Sequence, residues 1–285
     1  MLVFHQKTLL KRHLSSLRAE SRTISFVPTM GALHDGHLSL LQQANAKADI
    51  SVVSIFVNPT QFGDSKDLEK YPRPIGADIE KLESGGCDIL YMPEVADIYD
   101  EGINNLDEFD LNGLDTKLEG ASRPGHFQGV VQIVSRLLDA VPADFLMMGQ
   151  KDYQQVQVIQ TFLNASQHKV KLVTCPIIRE SNGLAMSSRN ERLTEHARSS
   201  AGCIYATLVK ASEQLKEVQP AQILESAINE LNNREGYQVD YFGFYDAATL
   251  EPVNSNLEER QLVILTAVYV EDVRLLDNML IPNVE

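Results

Sequence analysis

No run of apolar residues in this 285-residue sequence reaches the length of a membrane span, so no membrane partner is expected. The first residues pass quickly into the polar, helix-like stretch from Lys7 to Glu20, which is unlike a signal peptide, and a cytoplasmic location follows as the expectation. Cysteine is scarce. Cys87, Cys175 and Cys203 are odd in number, far apart and without Cys-x-x-Cys spacing, which argues against a disulfide framework or a zinc site and for reduced thiols in or near the core. Basic residues are outnumbered, 25 Lys and Arg against 39 Asp and Glu, for a formal net charge of -14. Nucleic acids need a basic stripe, so no nucleic-acid partner is expected, whereas an anionic small molecule can still be held by a locally basic site. There is no Gly-x-Gly-x-x-Gly turn, no repeat, no low-complexity tract and no acidic cluster able to complete a metal cage from the protein alone.

What is present is an alternation of strands and helices. Ile24 to Val27 reads as a buried strand, and Ile50 to Val57 as an apolar run covered on both faces. Shorter strands follow at Asp88 to Met92, Ala143 to Met148 and Lys169 to Cys175, with one more expected around Phe109 to Leu111. Helices are expected over residues 5 to 20, from Asp35, over Ile75 to Ser84, after Arg123–Gly129 with an apolar stripe from Phe127 to Leu138, and from Asp152 to about Gln167. Asp64 to Pro74, charged and interrupted by Pro72 and Pro74, reads as a mobile surface loop. The pattern predicts an α/β fold with a Rossmann-like, doubly wound parallel sheet over residues 1–175. Beyond it, helices at Thr194 to Lys216 and Ala221 to Arg234 precede strand-like runs at Gln238 to Tyr245 and Gln261 to Tyr269, which predicts a smaller α+β domain over 176–285.

The stretch from Ile24 to Leu38 carries the first chemical signal. A strand, a Pro/Gly-punctuated turn and a helix entrance place His34 and His37 three residues apart with Gly36 between them. Unpaired backbone N–H groups and the positive end of a helix dipole favour an anion there. The Asn58–Gly63 loop follows its own strand and so lies at the same carboxyl edge, where open parallel sheets bind ligands. Lys151 and Arg189 stand beside turns rich in small residues.

Six blocks, in order and spanning nearly the whole chain, resemble the pantothenate synthetase family of the nucleotidyltransferase superfamily, which shares motifs with class I aminoacyl-tRNA synthetases. They are Pro-Thr-Met-Gly-Ala-Leu-His-Asp-Gly-His at 28–37, Phe-Val-Asn-Pro-Thr-Gln-Phe-Gly at 56–63, Tyr-Pro-Arg at 71–73, Arg-Pro-Gly-His-Phe-Gln-Gly-Val at 123–130, Gly-Gln-Lys-Asp-Tyr-Gln-Gln at 149–155, and Arg-Glu-Ser-Asn-Gly-Leu-Ala-Met-Ser-Ser-Arg-Asn at 179–190. The resemblance implies ligation of pantoate to β-alanine with ATP and Mg²⁺, through a pantoyl adenylate, releasing pyrophosphate and AMP. It further implies a Rossmann-like domain under a small C-terminal lid, no prosthetic group, and a homodimer.

Residue by residue, the family implies that His34 and His37 contact ATP phosphates, with His37 as proton donor, and that Lys151 and Arg189 join them as catalytic groups. ATP is expected along Met30, Gly31, Ala32, Leu33, His34, Asp35, Gly36 and His37, along Gly149, Gln150, Lys151 and Asp152, at the main chain of Ile178, and at Met186, Ser187, Ser188 and Arg189. The Met186–Arg189 run resembles the counterpart of the synthetases' Lys-Met-Ser-Lys-Ser loop. Pantoate is expected at Gln61 and Gln155, whose amides offer donors and acceptors to its hydroxyl groups, and against Pro28 and Met30; Gln61 also matches a β-alanine contact. Asn58, Tyr71 and Arg123 are weaker site candidates, for which solvent-facing loop roles compete. Two departures stand out: Gln150 where the family usually has Glu, and Arg136 where a lysine is common. Two rival readings are a nucleotidylyltransferase that leaves AMP on a phosphorylated acceptor, and a non-catalytic RNA-binding relative of the synthetases, which conflicts with the acidic balance.

Overall fold

The computed structural model describes residues 1–62, 65–100, 102–103, 106–215, 217–254 and 260–282; Gly63, Asp64 and Lys216, on which expectations above touch, lie outside the described residues, as do the side chains of 65–67. By internal contacts the chain divides into Met1–Gly149 with Gln154–Cys175, and Gln150–Tyr153 with Pro176–Glu285.

The first unit runs β1 (Leu2–Phe4), α1 (Lys7–Ala19), β2 (Ile24–Thr29), α2 (Asp35–Lys47), β3 (Ile50–Ile55), a 3-10 turn (Pro59–Gln61), α3 (Ser65–Lys70), α4 (Ile75–Ser84), β4 (Ile89–Tyr91), α5 (Val95–Ile98), α6 (Leu118–Ser122), α7 (His126–Ala140), β5 (Phe145–Gly149), α8 (Tyr153–Ala165) and β6 (Lys171–Cys175). The six strands form one parallel sheet in the order β1-β4-β3-β2-β5-β6. Successive side chains alternate between faces. Val27, Val53, Ile55, Leu90 and Met147 pack with Leu40 and Leu41 of α2 and Leu82 of α4, while Phe26, Val52 and Tyr91 are fully buried on the opposite face. A sheet covered on both sides explains why its strands read as near-continuous apolar runs.

The chain winds outward from β2 to β3 and then returns across β2 to β5, so the sheet reverses its winding between β2 and β5. The ladder there is short. β2 pairs with β3 along its whole length, Ile24↔Ile50 to Thr29↔Ile55, and β5 with β6 from Phe145↔Lys171 to Gly149↔Cys175, yet β2 and β5 pair only at Ser25↔Phe145 and Phe26↔Leu146. The Ile24 carbonyl accepts from Asp144 on the β5 side and the Thr29 carbonyl accepts from Phe56 on the β3 side. By alternation, Pro28 turns its main chain toward β5, and proline has no N–H to donate. The ladder ends where that donor is missing, and the carboxyl ends of β2 and β5 are not laced together.

The second unit holds a turn bridged at Arg179↔Ala185, a 3-10 turn (Ser188–Arg192), α9 (Glu195–Ser200), α10 (Cys203–Gln214), α11 (Pro220–Asn232), and β7 (Tyr237–Asp246), β8 (Leu262–Val270) and β9 (Val273–Leu280) in one antiparallel sheet. Its core joins Ile204, Leu208, Ile223 and Leu231 of the helices to Phe244, Ile264, Val268 and Leu275 of the strands.

Several local expectations are corrected. Phe109 to Leu111 is not a strand: Phe109 pairs its N–H with Gln128 Oε1 (3.0 Å) and its carbonyl with Gln128 Nε2 (2.8 Å), so a side-chain amide satisfies the backbone in place of a ladder. Within the loop expected over Asp64 to Pro74, Ser65–Lys70 is helical, in keeping with the Leu, Glu and Lys that end it. The helix expected from Thr194 breaks at Ala201–Gly202, where a Cβ on Gly202 would stand 2.0 Å from the Asn182 carbonyl oxygen. β1 and β9 were not anticipated, the first being three residues long and the second carrying Arg274, Asp277 and Asn278.

Gly129 of α7 lies against the Pro59–Gln61 turn, and a Cβ there would stand 2.6 Å from the Thr60 carbonyl oxygen. Gly129→Ala should therefore lower stability by about 1–3 kcal/mol, read as a reduced melting temperature.

Candidate active site

The turn after β2 is held open by a buried carboxylate. Gly31 (φ +80) and Ala32 (φ +51) adopt left-handed backbone conformations, and Asp78 of α4, 0% exposed, accepts from the N–H groups of Ala32 and Leu33, both at 2.8 Å. Lys81, one helical turn on, donates to the Leu33 carbonyl at 2.5 Å. A Cβ on Gly31 would lie 3.0 Å from Asp78 Oδ2 and 3.1 Å from the Ile55 side chain, so glycine serves both the torsion and the space.

His34 and His37 form a reciprocal cap on α2. His34 Nδ1 accepts from the Gly36 N–H (3.1 Å), His37 Nδ1 accepts from the His34 N–H (3.3 Å), and the ring centroids are 4.1 Å apart. A nitrogen that accepts a backbone N–H carries no proton of its own. The neutral rings therefore hold their protons on Nε2, and the cap selects the tautomer able to donate from Nε2. Asp35 is exposed beside them, and Gly36 contributes the amide that fixes His34.

The loop after β3 carries a second network. Asn58, 1% exposed, donates to the Gly129 carbonyl (3.1 Å) and to Gln61 Oε1 (3.2 Å), while its own Oδ1 accepts from the Tyr99 hydroxyl (2.6 Å). With its oxygen engaged by Asn58, Gln61 turns Nε2 toward Met30 Sδ at 2.9 Å, which brings the expected pantoate residues Gln61 and Met30 into contact. His126 Nδ1 meets the Gln61 carbonyl at 3.1 Å, and Arg123 Nη1 stands 3.4 Å from His126 Nε2. Burial raises the Tyr99 hydroxyl pKa, so it stays a donor, and Arg136 lies over the Tyr99 ring at 5.0 Å. Tyr71 meets Phe62 edge-on at 5.7 Å. Pro28 and Gln155 are half-buried, on β2 and in the first turn of α8.

In the second unit, a pocket is lined by Lys151, Ser187, Arg189, Asn190, Arg274 and Asp277, among others. Lys151 and Asp152 lie 3.4 Å apart, Nζ to Oδ1, on a 3-10 turn of Gln150–Asp152 that follows Gly149, the last residue of β5. The Ile178 carbonyl accepts from the Met186 N–H (2.9 Å), which closes the hairpin below Ser187. Ser187 then caps the Ser188–Arg192 turn by accepting from the Arg189 N–H (3.2 Å). Glu180 fixes the hairpin to its surroundings: it accepts from Asn190 Nδ2 (2.9 Å) and from Arg198 Nε (2.9 and 3.1 Å). Burial pushes the Glu180 carboxyl up, but the Arg198 and Asn190 hydrogen bonds outweigh it, and its pKa lies below the ordinary value of 4.5. Arg189 itself is exposed.

Among the described residues no group of three or more His, Cys, Asp or Glu could hold a metal ion, and no helix is long and apolar enough to cross a membrane. The three cysteines are free, and burial pushes the Cys87 thiol up to about 12 and that of Cys175 to about 11, so both stay protonated and unreactive. Asp78, Tyr99 and Asn278 act on these loops but belong to none of the sequence blocks. A lone polar residue in a helix or strand carries no signal until its burial is known.

Residues 2–280 match the family model described as pantoate-beta-alanine ligase. A pantothenate synthetase from Bacteroides thetaiotaomicron is 42% identical over 284 residues, covering 98% of this chain and 98% of that protein. The crystal structure of a pantothenate synthetase from Thermus thermophilus superposes with a TM-score of 0.90 at 34% identity, covering 98% of this chain and 99% of that one. That of a pantoate-beta-alanine ligase from Francisella tularensis, complexed with beta-gamma ATP and beta-alanine, gives a TM-score of 0.80 at 35% identity, with coverage of 98% and 97%.

Two outcomes follow from this geometry. Asp78→Ala should cost about 1–3 kcal/mol for the buried N–H left unpaired, seen in thermal unfolding, and should lower turnover as the turn before His34 loosens. A carboxyl whose native pKa is depressed stabilises the fold above its unfolded pKa, and that contribution is lost as pH falls through the native value. Acidification below the ordinary 4.5 should therefore lower the melting temperature of the wild type more than that of Glu180→Gln.

Proposed function

The chain belongs to the pantoate-beta-alanine ligase family, and from that premise we propose that it condenses pantoate with β-alanine in two ATP-dependent steps. First a pantoate carboxylate oxygen attacks the α-phosphorus of ATP, the bond to the β-phosphate oxygen breaks, and pantoyl adenylate and pyrophosphate form. Then the β-alanine amine attacks the acyl carbon, AMP leaves, and the amine loses its proton as the amide forms.

The observation that carries this reading is the paired cap of His34 and His37, which orders two imidazoles in the Nε2–H form at the start of α2. Attack on the α-phosphorus places negative charge on its non-bridging oxygens and on the departing pyrophosphate, and donors already oriented toward that charge stabilise the transition state without reorganising. We assign His37 as the principal donor and His34 as its phosphate-binding neighbour. Met30 to Asp35 supply the nucleotide-facing main chain, Gly149 and Asp152 the ribose side, and the Ile178 main chain the adenine side. Lys151, Ser187, Ser188 and Arg189 are assigned to the triphosphate, where the planar Arg189 fork suits phosphate oxygens. Gln61 and Gln155 take the hydroxyl groups of pantoate, with Pro28 and Met30 as apolar wall, and Gln61 also serves β-alanine. Mg²⁺ would arrive on ATP, bound mainly by phosphate oxygens and water. A homodimer in the cytoplasm completes the reading. The nucleotidylyltransferase alternative is not favoured, because it gives the Gln61 and Gln155 blocks no task.

Incubation of the protein with ATP, Mg²⁺, pantoate and β-alanine should yield AMP and pantothenate in equal amounts; ADP, or AMP retained on an acceptor, would contradict the reaction. His37→Ala should slow adenylate formation by about 10²–10³-fold while changing ATP affinity far less, since one positioned donor is worth about 2.7–4 kcal/mol in a transition state of this kind. An unchanged rate would remove His37 from the chemistry.

A further inference from the structure

Two adjacent residues of β9 hold the loops assigned above to the triphosphate. Asn278, 2% exposed, donates Nδ2 to two successive carbonyls, Gln150 at 2.9 Å and Lys151 at 3.0 Å, and its Oδ1 accepts from Gln150 Nε2 at 3.1 Å. Both donors of one amide are thereby spent on a single turn. Next to it Asp277, 5% exposed, takes the Arg179 guanidinium in a two-pronged pair at 2.6 and 2.9 Å. Burial raises the Asp277 carboxyl pKa while the Arg179 charge opposes the rise. Arg179 lies 3.7 Å over the Tyr205 ring and donates to the Gly183 carbonyl, so the hairpin leading to Ser187 is pinned at its base. Lys151, Ser187, Arg189 and Asp277 line one pocket. One edge strand thus fastens the Lys151 turn through one residue and the Ser187 hairpin through its neighbour.

We propose that Asn278 is a positioning residue for ATP: it orders the main chain of Gln150 and Lys151 before the nucleotide arrives, so that the Lys151 ammonium is presented at a fixed distance from Ser187 and Arg189. This rests on the assignment of the triphosphate to these loops. It also gives Gln150 a definite task. Its amide N–H₂ donates to Asn278 Oδ1, so the two amides hold each other as well as the turn. Without Asn278 the turn would have to be ordered when ATP binds, and the lost freedom would appear as weaker ATP binding.

Calorimetric titration with Mg²⁺-ATP decides the matter in the wild type, Asn278→Ala, Asn278→Asp, Lys151→Ala and the double variant Asn278→Ala/Lys151→Ala. Asn278→Ala and Asn278→Asp should each weaken ATP binding about tenfold, the equivalent of one to two neutral hydrogen bonds, and leave pantoate binding within about twofold of wild type. In the Lys151→Ala background, Asn278→Ala should add about twofold or less, because residues acting through one another are not additive. Wild-type ATP affinity in Asn278→Ala, or losses that add in full in the double variant, would overturn the proposal while leaving the assignment of ATP intact. A wild type that binds no ATP would overturn both together. Should Asn278→Ala not fold, Asn278→Ser, which keeps one donor on a smaller side chain, is judged by the same ratios.

Discussion

The structure of the first unit depends on where one ladder of hydrogen bonds stops. A parallel sheet that winds outward in one direction and then back in the other separates two neighbouring helices or loops at the reversal, and ligands collect outside the carboxyl ends of those strands. Here the reversal falls between β2 and β5, and Pro28 removes the donor that would carry their pairing beyond Phe26↔Leu146. The chain parts from β5 at that point and stays paired with β3 only as far as Thr29. Within a few residues it passes through two left-handed torsions at Gly31 and Ala32 and enters α2 with both histidines in its cap.

Within each unit, order in the loops comes from buried polar groups rather than from apolar packing alone. Asp78 collects the amides of the turn before His34, Asn58 collects the Tyr99 hydroxyl and the Gly129 carbonyl while aiming Gln61 at Met30, and in the second unit Asn278 gathers the carbonyls of Gln150 and Lys151. Each is 2% exposed or less. Such groups are expensive to bury unless every donor and acceptor finds a partner, and once satisfied they admit one arrangement of the chain around them. Donors held in place before substrate arrives suit a reaction in which most of the catalytic task is to receive developing charge.

Much of this was legible in the sequence where local pattern and final structure agree. The apolar runs of β2 and β3, the Gly/Pro punctuation between them, and the start of α2 at Asp35 all follow from residues that neighbour one another in the chain. Legibility failed where a distant group decided the local structure. Phe109 lies outside any strand because Gln128, nineteen residues on, takes both of its main-chain groups. The helix after Thr194 breaks because the backbone of Asn182 presses on Gly202. β9 was hidden because Asp277 and Asn278, which interrupt its apolar pattern, are the residues that reach out to Arg179 and Lys151. The motif residues of the site could be named from sequence, but the side chains that hold them could not, since Asp78 and Asn278 differ from any surface Asp or Asn only in what surrounds them.

The central claim is that the histidine cap and its neighbouring loops serve the formation of an acyl adenylate from pantoate and ATP. The most direct measurement is exchange of labelled pyrophosphate into ATP with pantoate present and β-alanine omitted. The account predicts rapid exchange that requires pantoate and that Lys151→Ala and His37→Ala both suppress. Exchange that proceeds equally well without pantoate, or its absence in a protein that still makes pantothenate, would contradict it.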